Sequence, residues 1–286
     1  MNPADVMGLR RLMARTEGSR DITVSVIDGP IWLDHPAFSG QRVRQIGRNI
    51  PAACHFRGSP ACRHGTLVMG MLAAKRNSDA PGLCPGCTFI VRAIFPENTP
   101  GEDPMPVSTP TDLAAAISDS ISAGANVINL SAALTQLSSQ SDQLEQALDN
   151  AAHHGVLVVA AAGNHGTVGS SAVTSHPWVI PVVACDPHGR LTPESNLGAS
   201  IGRHGLAAPG ENITSIGSDG KPGTFSGTSA AAPFVTGAIA LLWSEFPKAA
   251  VGRIKLAVTG ADGRPRKSIV PPTLNAGAAY SRMANN

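Results

Sequence analysis

Apolar residues recur along this chain in two alternating patterns. Short, mainly apolar runs cover Ile22–Asp28, Phe89–Phe95, Ala125–Ser131, Val156–Ala161 and Val179–Ala184, and turn residues such as Gly29-Pro30 and Gly163-Asn164 close them. Runs of this kind predict short strands buried on both faces. Between them the apolar spacing turns helical: over His64–Ala74, from Pro110 through Ile117 and Ile121 to Gly124, over Leu144–His153, and over Thr228–Trp243. Thr109-Pro110-Thr111-Asp112 is a helix start with a capping Thr, a Pro at the first helical position and an Asp in the first turn. Residues 5–15 predict a short amphipathic helix, whereas Gly29 to about Cys62 carries no regular pattern. Strands alternating with helices predict an α/β fold, a doubly wound, mostly parallel sheet with helices on both faces. One domain over residues 1–286 is expected, with its core at about 20–260 and residues 261–286 as a surface-wrapping tail.

Composition narrows the function classes. The 286 residues are 42% hydrophobic and 15% charged, as in a soluble globular protein. The net charge of +2 comes from scattered residues, and the short cluster Arg264, Arg266 and Lys267 reads as a solvated loop, so no nucleic-acid partner is expected. No run reaches the roughly 20 apolar residues of a membrane span. The first residues also lack the apolar stretch of a secretory signal, so a cytoplasmic protein is expected. Five cysteines leave at least one thiol free or paired with another chain. Cys185 lies in an apolar run and reads as a buried thiol. Cys84-Pro85-Gly86-Cys87 precedes a strand rather than a helix, which disfavours thiol redox catalysis. Cys54 and Cys62 lack the spacing of a zinc finger. Packing or structural disulfides suit these four cysteines better, and neither metal nor cofactor is expected.

Ligands of open α/β sheets sit beyond the carboxyl ends of the strands. Three polar residues stand at such ends or at predicted helix starts: Asp28 closes the first strand, His64 opens a helix, and Ser229 sits in Gly227-Thr228-Ser229-Ala230 before another. Taken singly, each has an ordinary reading as a turn or capping residue. Taken together, they are the three groups that acyl transfer needs. A serine hydroxyl attacks once a base takes its proton, neutral histidine is that base, and a buried carboxylate fixes its tautomer.

The surrounding residues strengthen this reading. Val26-Ile27-Asp28-Gly29-Pro30 resembles the aspartate segment of the subtilisin-like (S8) peptidases. His64-Gly65-Thr66-Leu67-Val68 is similar to their histidine segment, with Leu67 in place of a second histidine. Gly227-Thr228-Ser229-Ala230-Ala231-Ala232-Pro233 is similar to their serine segment. Ala161-Ala162-Gly163-Asn164 and Ala207-Ala208-Pro209-Gly210 match two further signatures, and all five stand in family order. The resemblance implies a subtilisin-like fold, with Asp28, His64 and Ser229 as a catalytic triad and Asn164 as an oxyanion donor. It also implies a peptide or protein substrate lying along Ser131, Ala132 and Ala133, with Ala161, Ala162 and Gly163 lining the pocket for the residue before the cut.

Three departures refine the picture. Many family members have glycine at or beside Ala133. The segment Lys75–Pro81 is shorter than the calcium loop of secreted subtilisins, so that site is not expected. Without a signal, a folding pro-segment or an inserted lid after the histidine segment, the chain resembles the PatA-type proteases that process precursors of cyanobactin-like peptides. A ribosomal precursor peptide is therefore an expected substrate. A ligase or macrocyclase on the same triad, and a non-catalytic peptide-binding module, are the alternatives.

Overall fold

The computed structural model describes residues 5, 7–47, 50–97, 108–131, 142–260 and 266–285. In chain order the elements are α1 (Leu9–Met13), β1 (Thr23–Asp28), β2 (Arg42–Gln45), α2 (Pro60–Ala73), β3 (Thr88–Ala93), α3 (Pro110–Ser122), β4 (Val127–Leu130), α4 (Asp142–His153), β5 (Leu157–Ala161), α5 (Ala172–Ser175), β6 (Ile180–Cys185), α6 (Ala199–His204), β7 (Leu206–Pro209), β8 (Ile213–Ile216), β9 (Pro222–Phe225), α7 (Thr228–Glu245), α8 (Val251–Thr259) and α9 (Ala276–Ala284). Seven strands form one sheet in the order β2-β3-β1-β4-β5-β6-β7, and every neighbouring pair is parallel. Strands β8 and β9 make a separate antiparallel hairpin. The strand order changes direction between β1 and β4, which opens a crevice at their carboxyl ends.

The two-residue period of the strands sorts their side chains into two cores. Val24, Val26, Phe89, Val91, Val127, Leu157, Val159, Ile180 and Val182 face one. Ile27, Ile90, Ile128, Leu130, Val158 and Ala160 face the other. Both faces are covered, so the strands are mainly apolar on both sides, with Ser25, Arg92 and Asn129 as buried polar exceptions. Helix α7 spans the first face, where it contacts β4, β5, β6 and β7, and α3 packs with α4 on the second.

Two helix starts have the same local cause. Ser59 accepts a bond from Cys62 N–H and Pro60 takes the first helical position, so α2 begins there. Thr109 and Asp112 form a capping box ahead of Pro110. The expected position of His64 is corrected by this: it lies inside the helix, one turn past the start. The polar edge strand β2, the small-residue strand β7, the β8–β9 hairpin and the helices α5, α6, α8 and α9 were absent from the hydrophobic pattern. The C-terminal segment does more than wrap the surface. Leu274 N–H donates to Ala207 O, Ala207 N–H donates to Pro272 O, and Leu274, Ala276, Ala279 and Met283 are buried.

Candidate active site

Asp28 is the last residue of β1 and is only 1% exposed. Its Oδ1 accepts from Gly29 N–H at 2.7 Å and lies 2.7 Å from His64 Nδ1. Two glycines permit this approach. A Cβ on Gly29 would lie 2.2 Å from Ala61 O, and one on Gly65 would lie 2.6 Å from both Gly29 O and Pro30 O. The end of β1 and the helix α2 therefore touch backbone to backbone, which carries the imidazole to the carboxylate. Burial alone would lower the His64 pKa. The Asp28 charge and the hydrogen bond to it outweigh burial and hold the pKa above its ordinary value. The Phe225 ring stands edge-on to the imidazole, with centroids 6.1 Å apart.

Ser229 lies in the first turn of α7 and is buried. Its hydroxyl donates to Ser131 O at 2.9 Å, beyond the end of β4. Ser131 is itself held by a buried polar chain. Asn129 Nδ2 donates to Ser131 Oγ at 2.8 Å, and Thr236 Oγ1 donates to Asn129 Oδ1 at 2.8 Å. Thr236 belongs to the same helix as Ser229, so this network fixes the start of α7 against the end of β4. Satisfied buried networks of this kind specify one arrangement.

Asn164 follows β5 and is turned by Thr228. Its Oδ1 accepts from Thr228 N–H at 2.8 Å and from Thr228 Oγ1 at 3.0 Å. With the acceptor engaged, the amide Nδ2 is left as the donating end. The Thr228 hydroxyl also accepts from Gly163 N–H at 3.1 Å. Gly227 has φ 110, and a Cβ there would lie 2.8 Å from Asn164 Nδ2, so a side chain would be strained and would displace the amide. The Ser229 N–H, in the first turn of a helix, has no preceding helical carbonyl to bond. It lies at the positive end of the helix dipole, which favours developing negative charge. Asn129, Thr228 and Thr236 escaped the sequence reading; Thr228 stood inside a quoted motif but had no assigned role.

The other expected site residues divide. Ala161, Ala162 and Gly163 are buried between β5 and Asn164, beside the start of α7, whereas Ala132 and Ala133 lie outside the described residues. Asp186 and Glu194 line a cleft with Asn164 and Gly227. Cys54 and Cys62 form a disulfide that joins the loop before α2 to its first turn, two residues from His64. Among the described residues the one grouping of three metal-type ligands is Cys54, Cys62 and Glu97, and its two sulfurs are bonded to each other. Cys84, Cys87 and Cys185 are buried free thiols, and burial pushes the Cys185 thiol up to about 11.

Comparison with known proteins agrees with this geometry. Residues 19–264 match the subtilase family, peptidase S8. The chain belongs to the subtilase family. The thermophilic serine proteinase of Bacillus sp. (strain AK1) is 32% identical to this subtilase over 232 residues, covering 80% of this chain and 54% of that protein. The major intracellular serine protease of Bacillus subtilis (strain 168) is 31% identical over 250 residues, covering 82% of this chain and 72% of that protein. The chain spans about half the length of several curated relatives it matches, 54%, 48% and 56% of three of them. A mutant of the protease domain of PatA superposes with a TM-score of 0.84 at 29% identity, covering 94% of this chain and 98% of that one. The prenylagaramide maturation protease PagA gives 0.83 at 28% identity, covering 96% and 98%. The PatG macrocyclase in complex with peptide shares the fold, with a TM-score of 0.82 at 22% identity over 98% of this chain and 96% of that one. Among the described residues no helix is long and apolar enough to cross a membrane.

Proposed function

We propose that this subtilase is a serine endopeptidase that cleaves a precursor peptide through an acyl-enzyme on Ser229, and that residues 1–286 work as one catalytic domain. The observation that carries this reading is the 2.7 Å Asp28–His64 bond. It commits Nδ1 of the imidazole to the carboxylate and leaves Nε2 as the nitrogen that can serve as base. The reading requires the Ser229 side chain to turn away from Ser131 O so that its hydroxyl meets that nitrogen. His64 takes the proton as Oγ attacks the scissile carbonyl. Asn164 Nδ2 and the Ser229 N–H receive the oxyanion. The imidazolium, stabilised by Asp28, then protonates the leaving amine, and water resolves the ester by the reverse path. PatA and PagA, both named as maturation proteases, support a precursor peptide as the substrate.

The pocket for the residue before the cut is proposed to be floored by Ala161, Ala162 and Gly163, with Ser131, Ala132 and Ala133 along the substrate. None of these carries a charge, so an unpaired lysine or arginine there is costly and apolar or small side chains are preferred. Work in the cytoplasm is part of the proposal, supported by the intracellular relative. The Cys54–Cys62 disulfide weighs the other way, because cytosolic thiols are held reduced. Thiol labelling of acid-quenched cells tests that point.

Mass spectrometry of a peptide library incubated with the wild type and Ser229→Ala tests the activity. Products that have gained one water, absent with Ser229→Ala, support an endopeptidase. Peptides joined or cyclised without water would make the enzyme a ligase, and an unchanged library would leave a binding module.

A further inference from the structure

A cleft of about 620 Å³ opens beside the site. It shares Asn164 and Gly227 with the candidate oxyanion site but includes none of Ser131, Ala161, Ala162 or Gly163. Its lining is thus separate from the residues proposed for the pocket before the cut, while both adjoin Asn164. A peptide whose residues before the cut fill that pocket would run past Ser229 toward this cleft.

The walls of this cleft are acidic. Asp186, Glu194 and Glu211 line it, with Arg190 as the one basic residue among the lining residues. Arg190 is already engaged, since its Nε donates to Asp186 Oδ2 at 2.7 Å. Glu194 and Glu211 are exposed, and among the described residues neither carboxylate has an ion-pair partner. Their backbones are fixed to the reacting centre. Glu194 O accepts from Gly166 N–H at 2.8 Å, two residues past Asn164. Gly210 O, next to Glu211, accepts from Gly227 N–H at 2.7 Å, two residues before Ser229. Two acidic residues of this cleft are thus tied through backbone bonds to the segments that carry Asn164 and Ser229.

Resting on the endopeptidase reading, we propose that this cleft binds the segment after the cut and that Glu194 and Glu211 select lysine or arginine there. The charge logic is opposite to that before the cut, where the described wall residues are uncharged. Both carboxylates face solvent, so the selection is moderate and screened by salt. Complementary charge at an exposed rim acts chiefly on encounter and register, which raises kcat/KM rather than kcat.

The test uses peptides identical except for the two residues after the cut, set to lysine, glutamine or glutamate. In the wild type, kcat/KM should favour the lysine peptide over the glutamate peptide by about tenfold, with the ratio shrinking as salt rises. In the E194Q/E211Q double variant the ratio should fall to about twofold or less. The ratio is the readout because a general loss of activity leaves it unmoved. In parallel, fluorescence anisotropy measures binding of the labelled peptides to Ser229→Ala, which needs no turnover. Preferential binding of the lysine peptide without any hydrolysis by the wild type would overturn the endopeptidase reading and leave the cleft assignment standing. Equal handling of lysine and glutamate in both assays, or a lysine preference that survives E194Q/E211Q, would overturn the cleft assignment.

Discussion

Replacing Thr228 by valine tests how Asn164, the proposed oxyanion donor, is held in place. The substitution keeps the shape of a fully buried side chain and removes only its hydroxyl. Two bonds are lost: the Gly163 N–H loses its acceptor at 3.1 Å, and Asn164 Oδ1 loses a donor at 3.0 Å. Leaving a buried amide unpaired costs about 1–3 kcal/mol, which urea denaturation should report as lost stability. Asn164 keeps one hold, the Thr228 N–H at 2.8 Å, so its amide is loosened rather than removed. Complete loss of such a donor costs about 10²–10³ in rate. Thr228→Val should therefore lower kcat/KM by about tenfold, or about 1.4 kcal/mol of transition-state stabilisation, on a chromogenic peptide substrate. Thr228→Ser, which retains the hydroxyl, should restore most of that rate. Activity of Thr228→Val within about twofold of wild type, with unchanged stability, would show that Thr228 does not orient Asn164.

Three further outcomes follow from the geometry. In the proposed mechanism the base is neutral His64, and Asp28 raises its pKa. The pH profile of kcat/KM should therefore rise with pH through an apparent pKa above the ordinary imidazole value of about 6.5. Asp28→Asn should move that limb to lower pH and reduce kcat by about 10⁴, whereas a limb left in place would detach Asp28 from His64. Gly65→Ala inserts a methyl 2.6 Å from two backbone oxygens; an overpacking cost of roughly 1–3 kcal/mol or more should lower Tm, and a Tm equal to wild type would refute the backbone contact. Cys54 and Cys62 are separated by 8 positions, so opening their disulfide should cost about 2–3 kcal/mol by loop-closure entropy, and a Tm indifferent to reductant would contradict that contribution.

What the chain reveals by itself depends on burial. Strands β1, β3, β4, β5 and β6 were legible because both faces are covered and each run is mainly apolar. Strand β2, Arg-Val-Arg-Gln, is a largely exposed edge with no apolar signal. Strand β7, Leu-Ala-Ala-Pro, is buried but built of small residues and ends on a proline that reads as a break. The Ser59-Pro60 start of α2 uses the same chemistry as Thr109-Pro110, yet it is embedded in a Gly- and Pro-containing loop and escaped notice. Asp28, His64, Ser229 and Asn164 could be singled out because each sits in a local motif. Thr228 bonds Asn164 across 64 positions and Thr236 bonds Asn129 across 107, which no local pattern reveals. The pairing of Cys54 with Cys62 likewise depends on how a patternless loop returns to α2.

The central claim is that Ser229 is a nucleophile activated by His64. Fluorophosphonate labelling of the folded protein, with the adduct localised by fragmentation mass spectrometry, tests it most directly. The account predicts one adduct, on Ser229 rather than Ser226 or Ser244 of the same tryptic peptide. It should be absent from Ser229→Ala and strongly slowed by His64→Ala. An adduct on another residue, or labelling of Ser229 at the same rate without His64, would contradict the account.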